Sequence, residues 1–447
     1  MVVLSDINRQ DKPCSLKQYL TRIFSSDKII WIIISLLFII NVGYMIYVGP
    51  GYTTYSDDMA YVNSGLTLKN LGIISIHEDM YPSAQIMPGM PVLIAVVSML
   101  FGEGTLFWTV LKLVLITFGS MTAYYVYKSV RLFCPVWCAA LATLPLFKPD
   151  FVCINNQAMT EPPYIFFFTA LVYATLCIGQ KKYKYCILWI AMFMCALMFR
   201  ANILPFPVFA AIYFILKKVD AKKILTAGCA LLIALACFVV PWSIRNYRYF
   251  NTFIPFTYGA GDAIYLGTFQ GIGYPEYEAI DYPAVWDEIR EDYKYYYTED
   301  NQFRPEYALY VSLEGKERIA KYRINIWMEE NPVQCILSYL VIKPVQLMTS
   351  IWHNGPWHSV IRWVLGAFAL INLGLAILAV YLSFSRKQNR APVAFLSLFY
   401  IGTIYIHSLS FVSGRYALSL ETALFIIIGI CLPMIKTLVI KCIHKKG

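Results

Sequence analysis

Residues 29–48 read Ile-Ile-Trp-Ile-Ile-Ile-Ser-Leu-Leu-Phe-Ile-Ile-Asn-Val-Gly-Tyr-Met-Ile-Tyr-Val, a run without a charge. A helix of that length crosses a hydrocarbon core about 30 Å thick. Shortly after it comes Tyr55-Ser56-Asp57-Asp58-Met59-Ala60-Tyr61, which places two adjacent carboxylates just beyond the membrane. Ser56 is a candidate N-cap and Gly72 a candidate stop. Met59, Val62 and Leu66 recur at spacings of three and four, the stripe of a short helix lying on the membrane surface.

The composition agrees. Of 447 residues, 59% are hydrophobic, 16% aromatic and only 14% charged, against about 25% charged in soluble domains. Mean hydropathy is +0.57. These figures exclude a soluble globular protein, a disordered chain, a collagen-like fibre and a coiled coil. The 12 cysteines sit mostly in apolar runs and form neither a disulfide framework nor a metal motif.

Nine further stretches read as spans: 106–128, 133–149, 161–179, 184–201, 203–217, 223–241, 360–384, 391–411 and 416–436. Two other apolar stretches read as interfacial helices. Segment 86–101 is short and opens with Pro88 and Pro91; segment 333–352 carries Lys343 and Pro344 in its middle. With ten crossings, the basic groups Arg9 to Lys28, Lys128 and Arg131, Lys181 to Lys184, Lys217 to Lys223, Arg386 to Arg390 and Lys441 to Lys446 all fall on one side. Lysine and arginine gather on the cytoplasmic side. The +10 charge is thus positive-inside charge, and no nucleic-acid partner is expected.

The expected fold is an all-α polytopic membrane protein of about ten transmembrane helices, with interfacial helices and an extracytoplasmic α/β segment. Its divisions are a cytoplasmic arm (1–28), the first span (29–48), an extracytoplasmic loop holding the acidic pair (49–105), a transmembrane bundle (106–241), an extracytoplasmic segment (242–359), C-terminal spans (360–436) and a cytoplasmic tail (437–447). The charged leader is long and Gly49-Pro50 follows the first span, so no cleaved signal peptide is expected. No Asn-x-Ser/Thr sequon is present, which is compatible with a bacterial plasma membrane.

The two long segments place acidic and aromatic sequence on one face. Trp242, Trp286, Trp327, Trp352, Trp357 and the run Tyr293 to Tyr297 read as an aromatic belt ahead of a sugar-stacking surface. Gly259-Ala-Gly261 lacks the third glycine of a dinucleotide motif and reads as turns and short strands.

Adjacent acids at a helix start complement its dipole by about 0.3–1 kcal/mol. At the membrane boundary, where a lipid-borne phosphate ester would lie, a carboxylate is also a general base or a ligand for a divalent metal. No cofactor is required by the sequence; a divalent metal is the single candidate. Cations on the same face are Arg200, Arg245 (in Pro241-Trp242-Ser243-Ile244-Arg245-Asn246) and Arg415 (in Gly414-Arg415-Tyr416). Glu421 is a candidate partner for Arg415, and His353 and His358 lie near the end of the outer interfacial segment.

The ordered set of an acidic pair in the first outer loop, Pro88 and Pro91, the Pro241-Trp242-x-x-Arg245-Asn246 exit and a late Arg415-Tyr416 resembles the GT-C integral-membrane glycosyltransferases. The nearest look is the protein O-mannosyltransferase-like and aminoarabinose-transferase-like branch, over about residues 29–436. The resemblance implies transfer of a sugar from a polyprenyl-phosphate donor, with inversion, to a glycan, lipid or protein acceptor on the extracytoplasmic face. It implies Asp57 as base. Asp58 stands where the family has Glu, which leaves open how the two acids share the work. Met59, Ala60, Ile86 and Met87 occupy places where the aminoarabinose transferases carry basic residues, so Arg200, Arg245 and Arg415 become the candidate phosphate ligands. Tyr55, Asp150, Glu161, His353 and Tyr416 complete the expected substrate site. The competing expectations are a lipid-linked glycan polymerase or ligase, and a polytopic transporter or flippase.

Overall fold

The computed structural model describes residues 26–76, 81–298, 304–351 and 358–444. Its helices are α1 (Ile29–Val48), α2 (Asp57–Leu71), α3 (Gly89–Phe101), α4 (Thr105–Arg131), α5 (Val136–Thr143), α6 (Pro149–Asn155), α7 (Glu161–Gly179), α8 (Cys186–Phe199), α9 (Phe206–Leu216), α10 (Ala221–Phe250), α11 (Ala260–Gly267), α12 (Tyr282–Asp292), α13 (Ala308–Glu330), α14 (Pro332–Leu337), α15 (Lys343–Thr349), α16 (His358–Ser385), α17 (Arg390–Ser408) and α18 (Gly414–His444).

Seven described helices are long and apolar enough to cross a membrane: α1, α4, α7, α10, α16, α17 and α18. Val136–Phe147 and Pro149–Asn155 meet the same test together, bent by 67° at Lys148, and form a broken span or a re-entrant loop. The remaining two expected spans, 184–201 and 203–217, are the shorter apolar helices Tyr183–Phe199 and Ala201–Leu216. Helix α18 is the axis of the bundle and packs against α4, α5, α7, α16 and α17.

Segment 86–101 yields the 13-residue α3, about 20 Å long and too short to cross. The 332–349 region is broken into α14, a π-turn over Ser338–Ile342, and α15. Lys343 is fully buried there, donating to Gly267 O at 3.1 Å.

Helix α2 starts after Ser56 and stops where Gly72 adopts φ +71°, a left-handed conformation that glycine takes without strain. Its buried face meets α3, and Gly65 makes that approach possible: a Cβ there would collide with the Ile94 side chain. Val62, Met90, Ile94 and Phe107 form the small core between α2, α3 and α4.

The 242–359 segment corrects an expectation. Its described residues form helices, turns and 3-10 turns with no β-strand, so it is α rather than α/β. Gly259 to Gly267 belongs to α11 and its cap, not to short strands. Glycine there serves close packing, since a Cβ on Gly259 would sit 2.7 Å from Gln85 O. The end of the tyrosine run is a core rather than a belt, while Tyr295 stays exposed. Tyr296 and Tyr297 are buried with Phe250, Tyr258 and Tyr310, and Tyr296 donates to Phe250 O at 2.6 Å.

The two long segments meet each other. Tyr258 N–H donates to Ala84 O (3.1 Å), and Arg245 donates to Ser83 O (2.8 Å) and Ile74 O (3.3 Å). Together they cap one face of the bundle.

Candidate active site

The acidic pair divides into two unlike residues. Asp58 is fully buried. Its carboxylate accepts the backbone N–H groups of Thr54 (2.6 Å), Ser56 (3.0 Å) and Met59 (3.0 Å), while the Ser56 side chain makes no cap bond. Asp58 therefore folds the turn that enters α2. From the other side, buried Lys112 of α4 donates to Tyr52 O (2.6 Å) and Gly49 O (3.4 Å). Between these clamps Tyr55 is exposed and holds φ +52°. Such a conformation costs a bulky residue about 1–3 kcal/mol and persists where the surroundings over-determine it.

Asp57 is half exposed and forms an ion pair with Arg415 Nη1 at 2.6 Å. Arg415 Nε lies 3.2 Å from Glu161 Oε1, and the same oxygen accepts from Arg200 Nη1 at 2.7 Å. The result is an alternating chain, Asp57–Arg415–Glu161–Arg200. Four elements supply it: the start of α2, the start of α18, the start of α7 and the α8–α9 turn. Arg200 and Arg415 also lie over the Tyr416 ring, at 5.0 and 5.3 Å. The formal charges cancel, so two arginines are held in place without a net surplus. A guanidinium shared between carboxylates is pre-oriented for a phosphate oxygen.

Beside this chain lies a cleft of about 300 Å³, lined by Tyr61, Gln85, Arg200, Asn202, His407 and Tyr416 among others, with Gly259, Ala260 and Ala263 of the α11 region on one wall. Burial pushes the Tyr61 phenol up to about 12, and Glu161 and Asp57 push it the same way. Tyr61 therefore keeps its proton and remains an O–H donor.

The other sequence candidates fall elsewhere. Arg245 lies over Trp242 and Tyr249, both at 4.9 Å, and donates to Ser83 O, Ile74 O and Asn246 Oδ1. It clasps the two capping segments together and makes none of the contacts of the ionic chain. Asp150 is buried 3.3 Å from Lys148 Nζ, which also binds Glu421 at 2.8 Å. The expected Arg415–Glu421 pair is thus replaced by two separate pairings. His353 lies outside the described residues.

A divalent metal does not fit this donor set. Arg415 bridges Asp57 and Glu161, Lys148 bridges Asp150 and Glu421, and among the described residues no three His, Cys, Asp or Glu side chains cluster.

Sequence reading overlooked His407, Asn202 and Gln85, and gave Lys112 no part in the site. His407 and Lys112 carry a signal: an ionisable side chain inside an apolar span is uncommon and usually has a task. Gln85 and Asn202 carry none, since amides are ordinary in turns.

No family model and no curated protein matches the chain. Solved structures do. The crystal structure of the Archaeoglobus fulgidus oligosaccharyltransferase in the apo form matches over 93% of this chain and 52% of that one, at 13% identity and a TM-score of 0.55. The archaeal oligosaccharyltransferase AglB from the same organism, in complex with an inhibitory peptide and a dolichol-phosphate, matches over 94% and 52%, at 12% identity and a TM-score of 0.54. ArnT from Cupriavidus metallidurans bound to undecaprenyl phosphate matches over 91% and 78%, at 12% identity and a TM-score of 0.42.

The chain has a GT-C fold. It spans about half the length of the oligosaccharyltransferases it matches. In this fold the half-exposed Asp57 stands at the start of α2.

Proposed function

We propose that this chain is a glycosyltransferase that moves a sugar from a polyprenyl-phosphate carrier to an acceptor on the extracytoplasmic face of the membrane, with inversion. The carrying observation is Asp57, a half-exposed carboxylate held against Arg415 in an ionic chain whose far end, Arg200, lines a cleft. The GT-C fold supports it, as do the dolichol-phosphate of one structural neighbour and the undecaprenyl phosphate named with another.

The reaction is a single displacement. The acceptor oxygen attacks C1 of the sugar while its proton passes to the Asp57 carboxylate. The C1–O bond to phosphate breaks, and its electron pair leaves with the polyprenyl phosphate. Arg200 and Arg415 meet the charge that grows there. One carboxylate suffices as base, and Asp58 acts through the backbone it folds. Arg245 binds no phosphate in this reading, and Asp150 touches no substrate.

One observation favours a transporter instead: the buried Lys148–Asp150–Glu421 group at a bent helix, a place where transporters keep ionisable residues. Transfer of radiolabelled sugar from polyprenyl-phosphate donors by the purified protein separates the two. Consumption that vanishes with Asp57→Asn supports the transferase. A folded protein that consumes no donor across a broad panel counts against it.

A further inference from the structure

Two residues of the cleft lining, Gln85 and Asn202, take no part in the displacement. Gln85 enters from the loop before α3 and Asn202 from the α8–α9 turn, and both Gln85 Oε1 and Asn202 Oδ1 are buried without a hydrogen-bond partner. A buried acceptor left unmet costs about 1–3 kcal/mol, and each such atom in a folded protein calls for an explanation.

The Asn202 side chain and the Gln85 backbone are both held in place. The Asn202 amide N–H donates to His407 Nε2 at 3.3 Å, which leaves Oδ1 as its unmet atom. His407 is in turn stacked on Tyr416, with ring centroids 5.5 Å apart and planes 17° apart. The Gln85 N–H donates to Ser83 Oγ at 3.0 Å, and Gly259 packs on Gln85 O. The same lining supplies the Tyr61 O–H, the Tyr416 ring and Arg200. Two neutral acceptors, a phenol donor and aromatic faces match a polyhydroxylated ring. A carboxylate on that ring would meet the lone pairs of both amides. An ammonium would meet Arg200.

We propose that this cleft is the sugar subsite, and that Gln85 and Asn202 select a neutral sugar by accepting one hydroxyl hydrogen each. The proposal rests on the glycosyltransferase reading and names its substrate class.

The test uses the whole protein in detergent with polyprenyl-phosphate-linked glucose, galactose, mannose and glucuronate. Gln85→Met and Asn202→Leu are each expected to lower kcat/KM for the preferred neutral donor about tenfold. Unchanged kcat/KM in both variants, or a wild-type preference for glucuronate, overturns the proposal. A second readout is independent of turnover: saturation-transfer NMR with the methyl glycosides of the same sugars. Suppose the wild type transfers nothing, yet gives ring-proton signals with a neutral glycoside that the Gln85→Met/Asn202→Leu double variant loses while keeping its Tm. The subsite then stands and the transferase reading falls. Equal signals in both proteins, or none in either, overturn the subsite.

Discussion

Helix α18 carries two ionic groups, and they differ in one respect that matters. Near its start, Arg415 links Asp57 and Glu161, and Asp57 is half open to solvent. Six residues on, about 9 Å along the axis, Glu421 meets Lys148, which also holds Asp150; these side chains are almost wholly enclosed. The chemistry of the pairs is alike. Access is not. A carboxylate that a substrate can reach is equipped to take a proton, whereas an enclosed triad fixes helices to one another. The acidic pair repeats the lesson at closer range, with Asp57 open and Asp58 sealed against backbone N–H groups.

The largest expected effect separates the two groups. Asp57→Asn is expected to lower kcat for sugar transfer about 10²- to 10⁴-fold, with Tm in detergent unchanged. Lys148→Met should do the reverse of that pattern and first cost stability, about 3–5 kcal/mol, because two buried carboxylates lose their cation. A thermal melt checks it, and a wild-type Tm would remove the structural role given to the triad. Asp58→Asn keeps one acceptor oxygen but weakens the turn, at about 1–3 kcal/mol. It is expected to reduce kcat more than donor KM, since Asp57 is displaced rather than removed; a pure KM effect would reassign Asp58 to the substrate. The smallest effect belongs to Arg245→Lys. Losing part of its hold on Ser83 O and Ile74 O is expected to cost about 1 kcal/mol, visible in Tm and not in the salt dependence of donor binding. A large rise in donor KM would return Arg245 to the phosphate site.

Much of the architecture was legible because it is local. Residues 29–48 announce a span by composition alone, and Gly72 ends α2 where a left-handed stop was expected. The carboxylate at residue 161 and the arginines at 200 and 415 were legible as candidates, because charges at span ends are scarce. Which of them meet was not legible, for pairing depends on how helices pack. Arg415 has an acid on its own helix in Glu421, yet it binds Asp57 and Glu161. The same limit hid the tyrosine core. Tyr293 to Tyr297 have the composition of an interfacial belt, and only the folding of α10 and α13 around Tyr296 and Tyr297 makes those two an interior. The strands expected near Gly259 failed for a related reason: the glycines there let α11 press on its neighbours rather than turn the chain.

The α8–α9 hairpin has a mechanical corollary. Its two apolar helices have no more than 17 residues each, about 25 Å against a hydrocarbon core of about 30 Å. Lysines 181, 182 and 184 and lysines 217, 218, 222 and 223 anchor its open end at one interface. The shortfall therefore lies at the tip, which bears Arg200 and Asn202. A stretch that short is matched by local thinning of the bilayer, by snorkelling of flanking residues or by oligomerisation. A bilayer that thins there would bring a phosphate headgroup nearer to Arg200, which Glu161 holds at 2.7 Å.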